Sequence, residues 1–150
     1  ICEYFSKHNL SPKPKKAKKE KYLSPKYVIV FDDMSNELKS PSVVKLLKES
    51  RHFLCKVVIG SQYLHDLRPE STKQIDYWLI FKGQPKAKLE VIHTQAEIPI
   101  PFESFWEVYK LATEVSENDT HPFLFIDVRK GQFRKNFNKL ILLPENAQEE

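Results

Sequence analysis

The sequence predicts an α/β fold: a mainly parallel sheet with helices on both faces. Three observations carry this expectation. Short runs rich in β-branched and aromatic residues ("YVIVFD" at 27–32, "CKVVIGS" at 55–61, "DYWLIFK" at 76–82, "HPFLFIDV" at 121–128) are almost continuously apolar rather than alternating. That pattern belongs to strands buried on both faces. Helical periods fall between the runs, as crossover helices of a parallel sheet require. Polar residues also gather at the C-terminal ends of the runs: Asp32 and Asp33, Ser61 and Gln62, and Lys82. Open α/β sheets bind their ligands at the carboxyl ends of strands.

Taken in order, "YVIVFD" is the first strand. "SPSVVKLLKES" at 40–50 follows as a helix, with Ser40 as N-cap and Pro41 in the first turn, where proline's missing N–H is harmless. "CKVVIGS" is the second strand, and "HDLRPESTKQI" at 65–75 holds a short helix opening near Pro69. "DYWLIFK" is the third strand, and "PKAKLEVIHTQ" at 85–95 reads as a helix. In "PFESFWEVYKLATEV" at 101–115, Phe102, Phe105, Trp106, Tyr109 and Ala112 share one face at helical spacing. "HPFLFIDV" is the fourth strand, and "FRKNFNKLILL" at 133–143 adds one or two more. The boundaries are therefore a basic flexible linker at 1–26, a folded core at 27–143 and an acidic tail at 144–150.

Composition narrows the class. With 150 residues, 41% hydrophobic and 29% charged, the chain suits one globular domain with a core. No apolar run approaches the roughly 20 residues that cross a bilayer, and no stretch reads as a signal peptide. Cys2 and Cys55 are too few for a disulfide framework, and His52, His65, His93 and His121 do not cluster at ligand spacing. A reducing compartment fits best. The net charge of +4 is uneven: residues 1–26 hold eight lysines against Glu3 and Glu20, a net of +6, which leaves −2 for 27–150. The lysines of "SPKPKKAKKEK" (Lys13, Lys15, Lys16, Lys18 and Lys19) suit phosphate contacts on nucleic acid or an import signal; a solvated linker is the plainer alternative.

The strand ends carry the chemistry. A carboxylate at the tip of a rigid strand, such as Asp32, is the hard oxygen donor that phosphate-bound Mg²⁺ takes. Asp33, one residue on, points elsewhere and suits orienting or deprotonating a water. Acidic residues also end strands for no chemical reason, so this pair alone is a weak signal. Ser61 and Gln62 share the same rim if the two strands are adjacent and parallel, and an amide there reaches a terminal phosphate or its attacking water. Gly60 lets the backbone approach closely. Arg51 and Arg68 lie in loops beside these strands, where a guanidinium either stabilises developing charge from a neighbouring subunit or forms an ordinary surface ion pair.

Together, "VIVFDD", the "RH" pair before the next strand, the "SQ" after it, and "LR" ahead of a strand ending "IFK" resemble a known family. They look like the Walker B-to-sensor half of the viral DNA-packaging ATPases of the FtsK–HerA superfamily, of the poxvirus, giant-virus and Polinton/Maverick transposon type. The likeness runs over about residues 27–140. It implies part of a RecA-like P-loop NTPase core that binds ATP and Mg²⁺. It also implies a homo-oligomeric ring that moves double-stranded DNA into a capsid, with capsid or portal partners, in host cytoplasm, nucleus or virion. By that match Asp32 is the Mg²⁺ carboxylate and Asp33 the catalytic acid. Ser61 and Gln62 face the nucleotide, Gln62 as sensor, and Arg68, or alternatively Arg51, acts in trans.

One departure is large. The phosphate-cradling loop G-x-x-x-x-G-K-[ST] is missing: the chain's glycines are Gly60, Gly83 and Gly131, and none starts such a motif. The chain opens on Ile1, so the cradle is expected upstream. Two rivals stay open. A metal-dependent nuclease would use Asp127 at the end of "FLFID", with Arg129 and Lys130 beyond. A non-catalytic module would bind nucleic acid through its lysine arm, with affinity falling steeply as salt rises. On the motor reading, residues 1–150 alone bind nucleotide poorly and do not turn it over; measurable ATP hydrolysis by the isolated chain would overturn this.

Overall fold

The structure is a computed structural model that describes residues 26–50 and 52–143. The lysine arm, Arg51 and the 144–150 tail lie outside the described residues. The chain falls into two compact units, Ile1–Gln74 and Ile75–Glu150.

The first unit contains β1 (Tyr27–Asp32), a 3-10 turn (Glu37–Lys39), α1 (Pro41–Glu49), β2 (Cys55–Gly60), a second 3-10 turn (Leu64–Asp66) and the single-turn α2 (Pro69–Thr72). α1 begins as the sequence predicts: the Ser40 side chain accepts from the Ser42 N–H at 3.3 Å, and Pro41 occupies the first turn. One helix between two strands returns the chain to its starting end, so β1 and β2 pair in parallel. Their register is unstaggered, from Tyr27 opposite Cys55 to Asp32 opposite Gly60. Beneath them Phe31, Leu38, Val43 and Leu46 form the core, joined by Ile29, Leu47, Val57, Ile59 and Leu67. Leu38 and Leu46 are essentially inaccessible, and each contributes about 1.5–3 kcal/mol by burial.

The second unit holds β3 (Tyr77–Phe81), α3 (Lys86–Gln95), α4 (Phe102–Ala112), β4 (Phe123–Asp127), β5 (Gln132–Lys135) and β6 (Lys139–Ile141). Its sheet runs β3-β4-β5-β6 with every pair antiparallel. This corrects the expectation of a mainly parallel sheet. The two helices expected between β3 and β4 are both present, so the chain returns to the far end and runs back. The β4–β5 and β5–β6 connections are a few residues long, which permits only antiparallel pairing. Gly131 (φ 60°) and Asn136 (φ 53°) supply the left-handed residues of those two turns. α4 lies against β4 and β5 and buries Phe105, Val108, Tyr109 and Ala112. Phe102 and Trp106, expected on that face, are only half-buried.

The expectation of helices on both sheet faces is also corrected. Val28, Val30 and Val58 are 63%, 60% and 52% exposed, so among the described residues of the first unit nothing covers that face of the parallel pair. Tyr77, Leu79 and Phe81 are likewise exposed in the second unit. Apolar continuity reports that a strand can be covered twice; whether covering elements exist depends on the rest of the fold.

In the second unit the Tyr109 hydroxyl donates to the Phe81 carbonyl at 3.1 Å and accepts from the Gln84 N–H at 3.0 Å. It thereby ties the exit of β3 to α4. Tyr109→Phe leaves both backbone groups without that partner and should lower unfolding free energy by about 1–2 kcal/mol in urea titration. An unchanged midpoint would show that the tie carries no stability.

Candidate functional site

The parallel register sets the geometry. Because Asp32 lies opposite Gly60, the two strand exits open on one rim, with Asp33 following Asp32 and Ser61 and Gln62 following Gly60. All four residues are exposed. An ideal Cβ at Gly60 would sit 2.8 Å from Asp32 Oδ1. The Asp32 carboxylate therefore occupies the space that any side chain at Gly60 would fill, and glycine is what lets it lie over the neighbouring strand. Asp33 adopts φ 51°, a left-handed conformation that aspartate tolerates better than most residues. Its N–H still reaches the Gly60 carbonyl at 3.4 Å. The backbone turns off the strand line at this residue, so consecutive carboxylates leave the strand in different directions.

A residue that sequence reasoning missed is bonded to both loops of the rim. Asp66, only 2% exposed, ends the second 3-10 turn. Its Oδ2 accepts from Ser35 Oγ at 2.8 Å and from Ser61 Oγ at 2.9 Å. Ser61 Oγ also lies 2.9 Å from the Tyr63 carbonyl and accepts from the Tyr63 N–H at 3.2 Å. One hydroxyl proton cannot serve two acceptors, and the charged carboxylate is the stronger claim. Burial raises the Asp66 pKa; hydrogen bonds from Ser35 and Ser61 and the charges of His65 and Lys39 outweigh it, so the carboxyl lies below its ordinary value. The available signal was composition: an acid in "YLHDL", one turn after a Ser-Gln strand exit, is a loop brace as readily as a solvated charge.

Arg68 is exposed at the start of α2, and its Nε donates to the Lys39 carbonyl at 2.6 Å. It is thereby held against the first 3-10 turn, on the same unit as the rim. Lys82 is exposed just past β3. Asp127 is 7% exposed and serves a turn: its Oδ1 accepts from the Lys130 N–H at 3.1 Å, and Lys130 Nζ lies 3.9 Å from Oδ2. Arg129, its other neighbour in the nuclease reading, pairs with Asp76 at 2.7 Å. No group of three or more His, Cys, Asp or Glu side chains is placed to hold a metal among the described residues. None of their helices is long and apolar enough to cross a membrane.

The fold has solved counterparts. Two structures of the genome packaging NTPase B204 from Sulfolobus turreted icosahedral virus 2 superimpose on this chain. The one in complex with ATP-gammaS gives a TM-score of 0.54 at 19% identity over 72% of this chain and 52% of that one. The one in complex with AMPPCP gives 0.53 at 21% identity over 77% and 53%. At such identity the likeness is one of fold: this chain shares its architecture with about half of a viral packaging NTPase. No family model and no curated protein matches the sequence.

The contact at Gly60 gives a direct check. Gly60→Ala should shift the Asp32 carboxyl resonance in ¹³C NMR while changing unfolding free energy by less than about 1 kcal/mol, since only a side-chain end must move. A resonance identical to wild type would mean the carboxylate does not lie over residue 60.

Proposed function

We propose that this chain is the Walker B and sensor portion of an ATP-driven motor that packages or translocates double-stranded DNA, of the FtsK–HerA type found in viruses and virus-like transposons. The observation that carries the reading is the shared rim: Asp32 and Asp33 leave one strand, and Ser61 and Gln62 leave its parallel neighbour at the same end. The fold likeness to a packaging NTPase supports it.

The donors fit Mg²⁺. A single exposed carboxylate over a glycine gives the ion a hard oxygen and leaves room for waters and phosphate oxygens, its usual remaining ligands. When bound, the ion neutralises charge on the transferred phosphoryl group. On this reading Asp32 faces the ion and Asp33, turned aside by its left-handed backbone, orients or deprotonates the attacking water. The Gln62 amide senses the terminal phosphate. Arg68 acts on a neighbouring subunit of a homo-oligomeric ring, for which its side chain must leave the Lys39 carbonyl; Arg51 is the second candidate. The phosphate cradle comes from polypeptide beyond these 150 residues, consistent with a match to only about half of the packaging NTPase. The lysine arm adds sequence-independent contacts to DNA, capsid or portal components complete the assembly, and the host cytoplasm, nucleus or virion is its setting.

The test is DNA-stimulated ATP hydrolysis by this chain joined to the segment that supplies the phosphate loop. Asp33→Asn keeps a residue that accepts a positive φ and should lower kcat by roughly 10²- to 10⁴-fold with the fold intact. Wild-type turnover in a folded Asp33→Asn protein would remove the catalytic assignment.

A further inference from the structure

We infer that Asp66 is a positioning residue: its carboxylate clamps the loop leaving β1 to the loop leaving β2, so that the Asp32–Asp33 side and the Ser61–Gln62 side of the rim move together. The inference deepens the proposed function and rests on reading that rim as the nucleotide site.

Three features support the clamp. First, the two bonds converge on one oxygen. Ser35 comes from the loop two residues beyond Asp33, and Ser61 immediately precedes Gln62; both hydroxyls reach Asp66 Oδ2. Second, the backbone that carries the carboxylate is itself anchored: the Asp66 N–H donates to the Tyr63 carbonyl at 3.1 Å, and the following Leu67 N–H to the Leu64 carbonyl at 3.2 Å. Leu67 packs on the unit's core, so the brace is fixed to the body rather than floating with the loops. Third, the rim lies just past the paired strands. Asp32, Asp33, Ser61 and Gln62 are all exposed, and β-pairing ends at Asp32 and Gly60. Beyond that point the Asp33 N–H still reaches the Gly60 carbonyl, at a long 3.4 Å. A shared acceptor adds a connection a few residues further on, where phosphate and water must be held to within a fraction of an ångström. Asp66 touches no reacting atom on this reading; it acts through Ser35 and Ser61.

Amide hydrogen exchange on the full 150-residue chain tests the clamp without nucleotide. Asp66→Leu, similar in shape but unable to accept, should speed exchange about tenfold in both 33–38 and 61–67, with the 57–59 amides of β2 unchanged. Asp66→Asn keeps an acceptor oxygen in the place of Oδ2 and should hold both segments within about twofold of wild type. Ser35→Ala, which removes one hydroxyl from a half-buried site, should loosen 33–38 alone, and it decides the matter if Asp66→Leu does not fold. Loosening confined to 61–67 in Asp66→Leu, or no effect of Ser35→Ala on 33–38, overturns the clamp.

Turnover then tests its role. In the DNA-stimulated assembly, Asp66→Leu should lower kcat about tenfold with the KM for MgATP within about twofold, and Asp66→Asn should restore it. Loosened loops with unchanged kcat overturn the positioning role. Absence of DNA-stimulated turnover in the wild-type assembly overturns the motor reading instead, while the exchange result still decides the clamp.

Discussion

Zero stagger between two parallel strands is the constraint on which the first unit depends. One helix of nine residues carries the chain from the end of β1 back to the start of β2. A crossover of that kind sets the strands side by side and fixes which side chains face α1. The same register puts a glycine opposite the last carboxylate of β1. A shift by one residue would place Ile59 or Ser61 there and turn every side chain of one strand to the opposite face. Core packing under the sheet and chemistry at its rim are therefore two results of one alignment. Phe31, facing the core, and Asp32, facing out, are adjacent links of it.

Much of this was legible in the residues. The first four strands and the α-helices follow from apolar runs and helical spacing, and the Ser40–Pro41 start of α1 is written directly in the sequence; the two 3-10 turns were not foreseen, and 133–143 was read only as one or two strands. The rim was legible because Asp32 and Gly60 are each the last residue of a strand. Parallelism beyond the first pair was not. It depends on counting reversals of the chain: both helices between Phe81 and Phe123 were legible, but the antiparallel pairing that two of them produce was not drawn from them. The open faces were not legible either, because Val28, Val30 and Val58 have the composition of buried residues. Asp66 escaped notice since its role arises from Ser35, 31 positions away, and Ser61, five away; no local pattern encodes a convergence of that kind.

The sequence resemblance and the structural likeness are separate supports. The first rests on short motifs and their order, the second on backbone superposition over roughly three-quarters of this chain. They meet at the fold, and neither assigns a role to a side chain. What the rim itself shows is stereochemistry: a carboxylate seated over a glycine, a second one turned away by its backbone, and two hydroxyls on a shielded acid.

The bare valine face has a practical consequence. β1 and β2 are each paired on one side only among the described residues, and three β-branched side chains stand beside those unpaired backbone edges. Such a surface attracts other strands and apolar helices without discrimination. Purified at high concentration, the polypeptide is prone to cling to itself or to chaperones, and detergents, fusion partners or a complementary fragment become tools for keeping it monodisperse.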